Sequence, residues 1–165
     1  MTCGHEPVVS SKQRDPLIDL CRKQVDSIHI QYNYGSPTDI ARLKLALTKA
    51  DLLLACDMVY QAGPETVEYS FTQIPVPFFN AMGVDITQNE AIEELATQAI
   101  FQHAAQGDLS IKLIQANEME APFLCVETGW SLIIMEIMFL NENAAPFARS
   151  KLYFLQEHYS LKLRV

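Results

Sequence analysis

The sequence predicts a single α+β domain, an antiparallel sheet flanked by helices, with a more helical N-terminal half. Three observations carry this prediction. Apolar residues recur at helical spacing behind capping residues over the first sixty positions. Val67, Tyr69 and Phe71 alternate with polar residues, and two apolar runs bracket a Glu127-Thr128-Gly129 turn. The 165 residues are enough for one hydrophobic core. They show no repeat, low-complexity tract or linker, so the expected division is a flexible tail over 1–14 and one α+β domain over 15–165.

Taken in order, Asp15 and Pro16 read as an N-cap and first helical position. Leu17, Cys21, Val25, Ile28 and Tyr32 then make one apolar stripe, which Gly35 ends. A second cap around Thr38 and Asp39 opens a helix with Ile40, Leu43, Leu47, Leu54 and Met58 on one face, stopping at Gly63-Pro64. Its later half, 50–60, is apolar nearly all round and should be covered on more than one side. The half-buried strand at 67–72 is cut off, or confined to an edge, by Pro75 and Pro77. Thr87-Gln88-Asn89-Glu90 is a capping box for a helix carrying Ile92, Leu95, Ala99 and His103, with Gly107 as its stop. Residues 109–119 fit both periods: Leu109, Leu113 and Ala116 suit a helix, Leu109, Ile111 and Leu113 a strand. Residues 123–126 and 130–140 read as two strands, 141–146 as a loop and 147–159 as a helix.

Apolar residues make up 49% and charged residues only 19%, below the usual quarter. Such a chain leaves apolar surface over for another subunit or a partner. A net charge of −8 with pI ≈ 4.9 argues against nucleic acid and anionic membranes. The N-terminus has neither a basic n-region nor an apolar h-region, and Asp57 and Glu136 interrupt the longest apolar stretches. The expected compartment is therefore the cytoplasm, without membrane insertion. Cys3, Cys21, Cys56 and Cys125 are irregularly spaced and read as reduced thiols.

No cluster announces chemistry. The four histidines and four cysteines include no CxxC, HxxxH or ExxH pair to set two metal ligands one turn apart. His103, on an apolar helix face, reads as a core or interface histidine before a catalytic base. Glu90, Glu93 and Glu94 complement a helix dipole. Cys125 has no neighbouring cation to activate it, and six glycines offer little for a phosphate loop. Arg149, Lys151, Lys162 and Arg164 read as solvated positions rather than an anion site. The expectation is a non-enzymatic protein without metal or cofactor.

The most informative succession lies in the last third: Leu113-Ile114-Gln115-Ala116-Asn117, then Ala121 to Gly129, then Ser131 to Leu140, then Asn141 to Pro146. Over roughly residues 109–155 it resembles the second half of the class I type III secretion chaperones, the Tir-chaperone kind. The first half departs from that family's order of one helix and three strands. The resemblance implies an α-β-β-α unit with a helix at 109–119, and a cytoplasmic homodimer holding an extended segment of a secreted effector protein. It also implies a dimer contact near Leu109, Leu113, Phe123 and Cys125. Val67, Tyr69, Phe71, Leu132 and Ile134 would supply apolar sheet surface for the partner, although ordinary core packing competes for each. The alternative is a small-molecule-binding or enzymatic α+β domain, with a pocket between helices and sheet lined by Tyr60, Tyr69, Trp130 and His103.

Overall fold

Period-two alternation, rather than helical periodicity, governs most of this chain. The computed structural model describes residues 21–161. It contains six strands: β1 (Ser27–Gly35), β2 (Leu53–Ala62), β3 (Glu65–Pro75), β4 (Gln106–Gln115), β5 (Ser131–Leu140) and β6 (Pro146–Phe154). They form one sheet in the order β1-β2-β3-β6-β5-β4, with every neighbouring pair antiparallel. Short helices lie between them: α1 (Asp39–Leu45), α2 (Val76–Ala81), α3 (Asn89–Glu94), α4 (Ile100–His103) and α5 (Ala121–Leu124). A π-helical stretch, Leu95–Ala99, joins α3 to α4 into one composite helix. There the Thr97 hydroxyl donates to the Glu93 carbonyl at 2.7 Å, drawing that carbonyl toward a side chain.

The α+β class and the antiparallel sheet with flanking helices hold, but the helix-rich N-terminal half does not. Of the first expected helix, residues up to 20 lie outside the described residues, as does the 1–14 tail. Its later part is β1, because Ile28, Ile30 and Tyr32 also alternate and pair across Tyr60, Met58 and Cys56 of β2. The second helix is real only over α1: Thr38 caps it, its side chain accepting from the Ala41 N–H at 3.2 Å, and Ala46 ends it at φ 53. The segment that is apolar nearly all round is β2, a strand inside the sheet, whose one face is fully buried in the main core while the residues of the other, Asp57 among them, are only half-buried. Residues 109–119 are mostly strand β4, not helix, and 123–126 are the last residues of α5 and the turn that ends it rather than a strand. The expected helix at 147–159 is β6, whose period-two burial the helical reading missed. The strand at 67–72 and the run at 130–140 are present as β3 and β5; β3 ends at Pro75 but lies in the middle of the sheet. The capping box at 87–90 does not form, since Thr87 bonds Asp85 and no side chain caps Gln88.

One face of the sheet carries the main core. Leu54, Cys56, Met58 and Tyr60 of β2, Leu152 and Phe154 of β6 and Met135 and Phe139 of β5 meet Ile92, Leu95 and Ile100 of the composite helix. Burying side chains of this size contributes roughly 1.5–3 kcal/mol each.

The order of elements repeats. β1-α1-β2-β3 and β4-α5-β5-β6 are the same succession, and the strand order reads alike from either edge. Even the irregularities correspond. A register shift at Tyr60/Gln61 leaves Val67 unpaired, and one at Phe139/Leu140 leaves Phe147 unpaired, both turned into the same core. The sequence shows no such repeat, because it is carried by topology and not by residue identity.

Candidate functional site

The face of the sheet opposite the composite helix is not closed by a second layer. Two short elements cover its ends. α1 packs Ala41 and Leu45 on Leu53, with Met138 beside them. α5 packs Ala121 and Leu124 against Tyr69 and Leu132. Alternation dictates what remains between them: Asp57 from β2, Phe71 and Gln73 from β3, Arg149 and Lys151 from β6, Ile134 and Glu136 from β5. The result is a polar crevice on the floor of the sheet, bounded at each end by a helix of one half.

At the α1 end the crevice opens into a cavity of ≈ 160 Å³, bordered by Lys44, Asp108, Ser110, Glu136, Met138 and Arg149. Lys44 reaches down from α1 to Glu136 at 3.8 Å. Arg149 is only 7% exposed, yet among the described residues its guanidinium makes no ion pair. Burial pulls its pKa down, while Glu136 and Tyr153 nearby push it back up. Gln73, its cross-strand neighbour, holds a buried Oε1 without a hydrogen-bond partner, and Ser110 Oγ is likewise unpartnered. Polar atoms left this way each cost on the order of 1–3 kcal/mol. They are the mark of a surface shaped for something else to complete.

The α5 end is aromatic. Phe123 stacks on Tyr69 with centroids 4.3 Å apart, and Tyr69 stacks in turn on Tyr153 at 5.5 Å. Tyr69 donates its hydroxyl to Asp57. Its pKa is well above the ordinary tyrosine value, first through burial and then through the hydrogen bond to Asp57 and that carboxylate's charge. Burial, helped by Glu120 and Glu136, pushes Tyr153 up to about 12. Glu120 is itself buried, so three carboxylates (Asp57, Glu120, Glu136) surround the crevice that holds Arg149 and Lys151. Among the described residues no group of three or more His, Cys, Asp or Glu could hold a metal ion. No helix among them is long and apolar enough to cross a membrane.

The residues singled out from sequence are scattered. Tyr69, Phe71, Leu132 and Ile134 lie on the crevice face, whereas Val67 is buried in the main core on the other side. Phe123 belongs to the crevice roof, and Cys125 is exposed at the left-handed end of α5, φ 55. Leu109 and Leu113 are exposed on β4, on the helix side of the sheet, away from Phe123. Of the alternative pocket lining only Tyr69 borders the crevice. Tyr60 is in the main core, His103 is exposed at the end of α4 with its ring edge-on to Phe78, and Trp130 stands half exposed at the head of β5. Arg149, Glu136, Gln73, Glu120 and Lys44 were missed as site residues. The available signal was the interruption of apolar strands by Glu136 and Arg149 in period-two register.

No protein-family model matches the chain, and no curated protein matches its sequence. Solved structures do. A GntR-family transcriptional regulator from Enterococcus faecalis is similar with a TM-score of 0.69 at 20% identity, over 84% of this chain and 100% of that one. The ligand-binding domain of a putative GntR-family regulator from Bordetella bronchiseptica gives 0.68 at 13%, over 85% and 91%. The possible transcriptional regulator YydK of Bacillus subtilis gives 0.67 at 20%, over 84% of this chain but 60% of its own length. These likenesses establish the fold, and they overturn the resemblance to type III secretion chaperones. That resemblance rested on an α-β-β-α unit whose two helices are in fact β4 and β6. The chaperone function and the secreted effector as partner are withdrawn with it.

Proposed function

We propose that this chain is a small-molecule-binding domain with a sensory role, and that its crevice takes a compact polar ligand carrying an anionic group. The observation that carries this reading is Arg149, a buried guanidinium without an ion-pair partner among the described residues, beside the orphaned Gln73 Oε1. A buried guanidinium with no carboxylate in ion-pair contact is costly, and an anion drawn from solvent offsets that cost. The carboxylates of Asp57, Glu120 and Glu136 face the same space, and they suit hydroxyl or amine groups on the rest of the ligand. The aromatic stack at the α5 end offers a flat apolar wall.

A non-enzymatic role fits the chemistry of these groups. The Tyr69–Asp57 pair holds a phenol whose proton is bound more tightly than usual, which suits positioning rather than proton transfer. We assign the setting of transcriptional regulation from the similar structures, one of which is itself a ligand-binding domain.

Thermal-shift and calorimetric titration with inorganic phosphate and a panel of phosphorylated and carboxylated metabolites tests this. At least one anionic compound is expected to stabilise the chain. Arg149→Met is expected to weaken its binding by about tenfold or more, the loss of one buried charge-assisted contact. Binding of neutral compounds only, or anion binding unaltered in Arg149→Met, would refute the assignment.

A further inference from the structure

Two charged side chains of the crevice are almost wholly buried, one of each sign, and they do not meet. Arg149 on β6 is 7% exposed, and Glu120, at the start of α5, is 4% exposed. Among the described residues neither makes an ion pair, and the Glu120 side chain does not cap its own helix. The other charges of the crevice are compensated or wet. Glu136 lies 3.8 Å from Lys44, Asp57 accepts the Tyr69 hydroxyl, and Lys151 is only half-buried. Tyr153 stands between the two unmatched charges. Arg149, Lys151 and Tyr153 follow one another on one face of β6, so Tyr153 lies on the order of 13 Å from Arg149 along the strand, Cα to Cα. After burial itself, Glu120 is the next influence that tightens the hold on the Tyr153 proton, while Arg149 loosens it. Its hydroxyl is within reach of both charges.

We infer that these charges are the two poles of one site, and that its ligand is a zwitterion. An anionic group meets Arg149, and an ammonium at the far end of the same skeleton meets Glu120. The inference rests on the anion-binding reading of the crevice and adds its second pole. A hydroxyl can donate a hydrogen bond to a buried carboxylate but brings no charge to it; an ammonium supplies both. The stacked rings of Phe123, Tyr69 and Tyr153 keep water from that end, and aromatic rings favour an organic cation over a neutral hydroxyl. A metal ion is a poorer occupant there, because no three ligating side chains come together among the described residues. The separation of the poles also selects. An α-amino acid carries its opposite charges side by side and could satisfy one pole only. A skeleton with its charges at opposite ends satisfies both and leaves the net charge of the crevice unchanged.

Calorimetric titration of the chain with matched probes tests it. 6-Aminohexanoate is compared with hexanoate, and 5-aminopentyl phosphate with pentyl phosphate, so that each pair differs by the amine alone. Glycine serves as the probe with adjacent charges. At least one amine-bearing probe is expected to bind about tenfold or more tightly than its plain counterpart, and more tightly than glycine. Glu120→Gln is expected to bring that ratio close to one, whereas Arg149→Met weakens both members of the pair. Glu120 makes no side-chain capping bond, so the glutamine variant keeps α5, and circular dichroism checks its folding. Plain anions that bind as tightly as their amine-bearing counterparts, a ratio untouched by Glu120→Gln, or glycine binding as well as the longer probes would each overturn the zwitterion. If the plain anions then still bind and lose affinity in Arg149→Met, the anion-binding reading outlives it. If nothing binds in an Arg149-dependent way, both fall together.

Discussion

Arg149 shows how a single side chain can be costly to the fold and useful to the protein. Its neighbours Ala148 and Ser150 face the packed core, so alternation fixes its guanidinium in the crevice and leaves it no other place. In the ligand-free protein Arg149→Met is expected to raise the melting temperature or leave it unchanged, because an apolar side chain carries no desolvation cost. A protein whose Arg149 merely braced the fold would melt lower. The tyrosines give a pH prediction. Tyr153 sits at about 12 against an ordinary 10.0, and Tyr69 is raised as well. In the unfolded chain both release their protons near pH 10, while the folded chain keeps them. Their stabilising effect is therefore complete below pH 10 and is lost as the pH climbs toward 12. Alkaline unfolding followed by circular dichroism should show this loss, and Tyr153→Phe should flatten it.

At the scale of elements, α1 owes its existence to a cap and its importance to Lys44. Thr38→Ala removes the bond to the Ala41 N–H and is expected to cost about 1 kcal/mol, read by denaturant unfolding. It should also weaken binding in the crevice, because α1 is one of its walls. Capping was legible in the sequence here, as was the strand at Val67 to Phe71, since each depends on neighbouring residues alone. Most other elements were not legible. Leu54, Met58 and the residues between them fit a helix buried all round, and a strand inside a sheet leaves the same trace. Only pairing with β1 and β3 decides between them. β4 fits both periods for the same reason, and β6 resembles a helix because Phe147 at the register shift breaks the alternation of a strand. The crevice was hidden more deeply, because Gln73, Glu136 and Arg149 meet only after three strands have paired.

At the scale of the whole molecule, the two halves meet along β3 and β6. Toward one end of that seam Thr72 and Ser150 share a buried hydroxyl hydrogen bond of 2.8 Å. Removing one partner leaves the other unsatisfied, so Thr72→Val or Ser150→Ala alone should each cost about 1–3 kcal/mol. The double variant should cost less than the sum of the two, and a double-mutant cycle by urea unfolding reads the difference directly. Equal additivity would mean that the seam is held by backbone pairing alone. The fold class was legible from composition and alternation, but the internal repeat was not, since the corresponding positions share burial and not chemistry.

The position of α1 and α5 at equivalent points of that repeat separates selectivity from scaffold. Each is carried on a connection between the first and second strands of its half, and neither helix is itself a member of the sheet. Lengthening or recomposing one connection resizes the opening from that end alone, while the sheet floor and the opposite jaw stay as they are. Such an architecture can be retuned to new ligands in two independent steps, one per half, without unfolding in between.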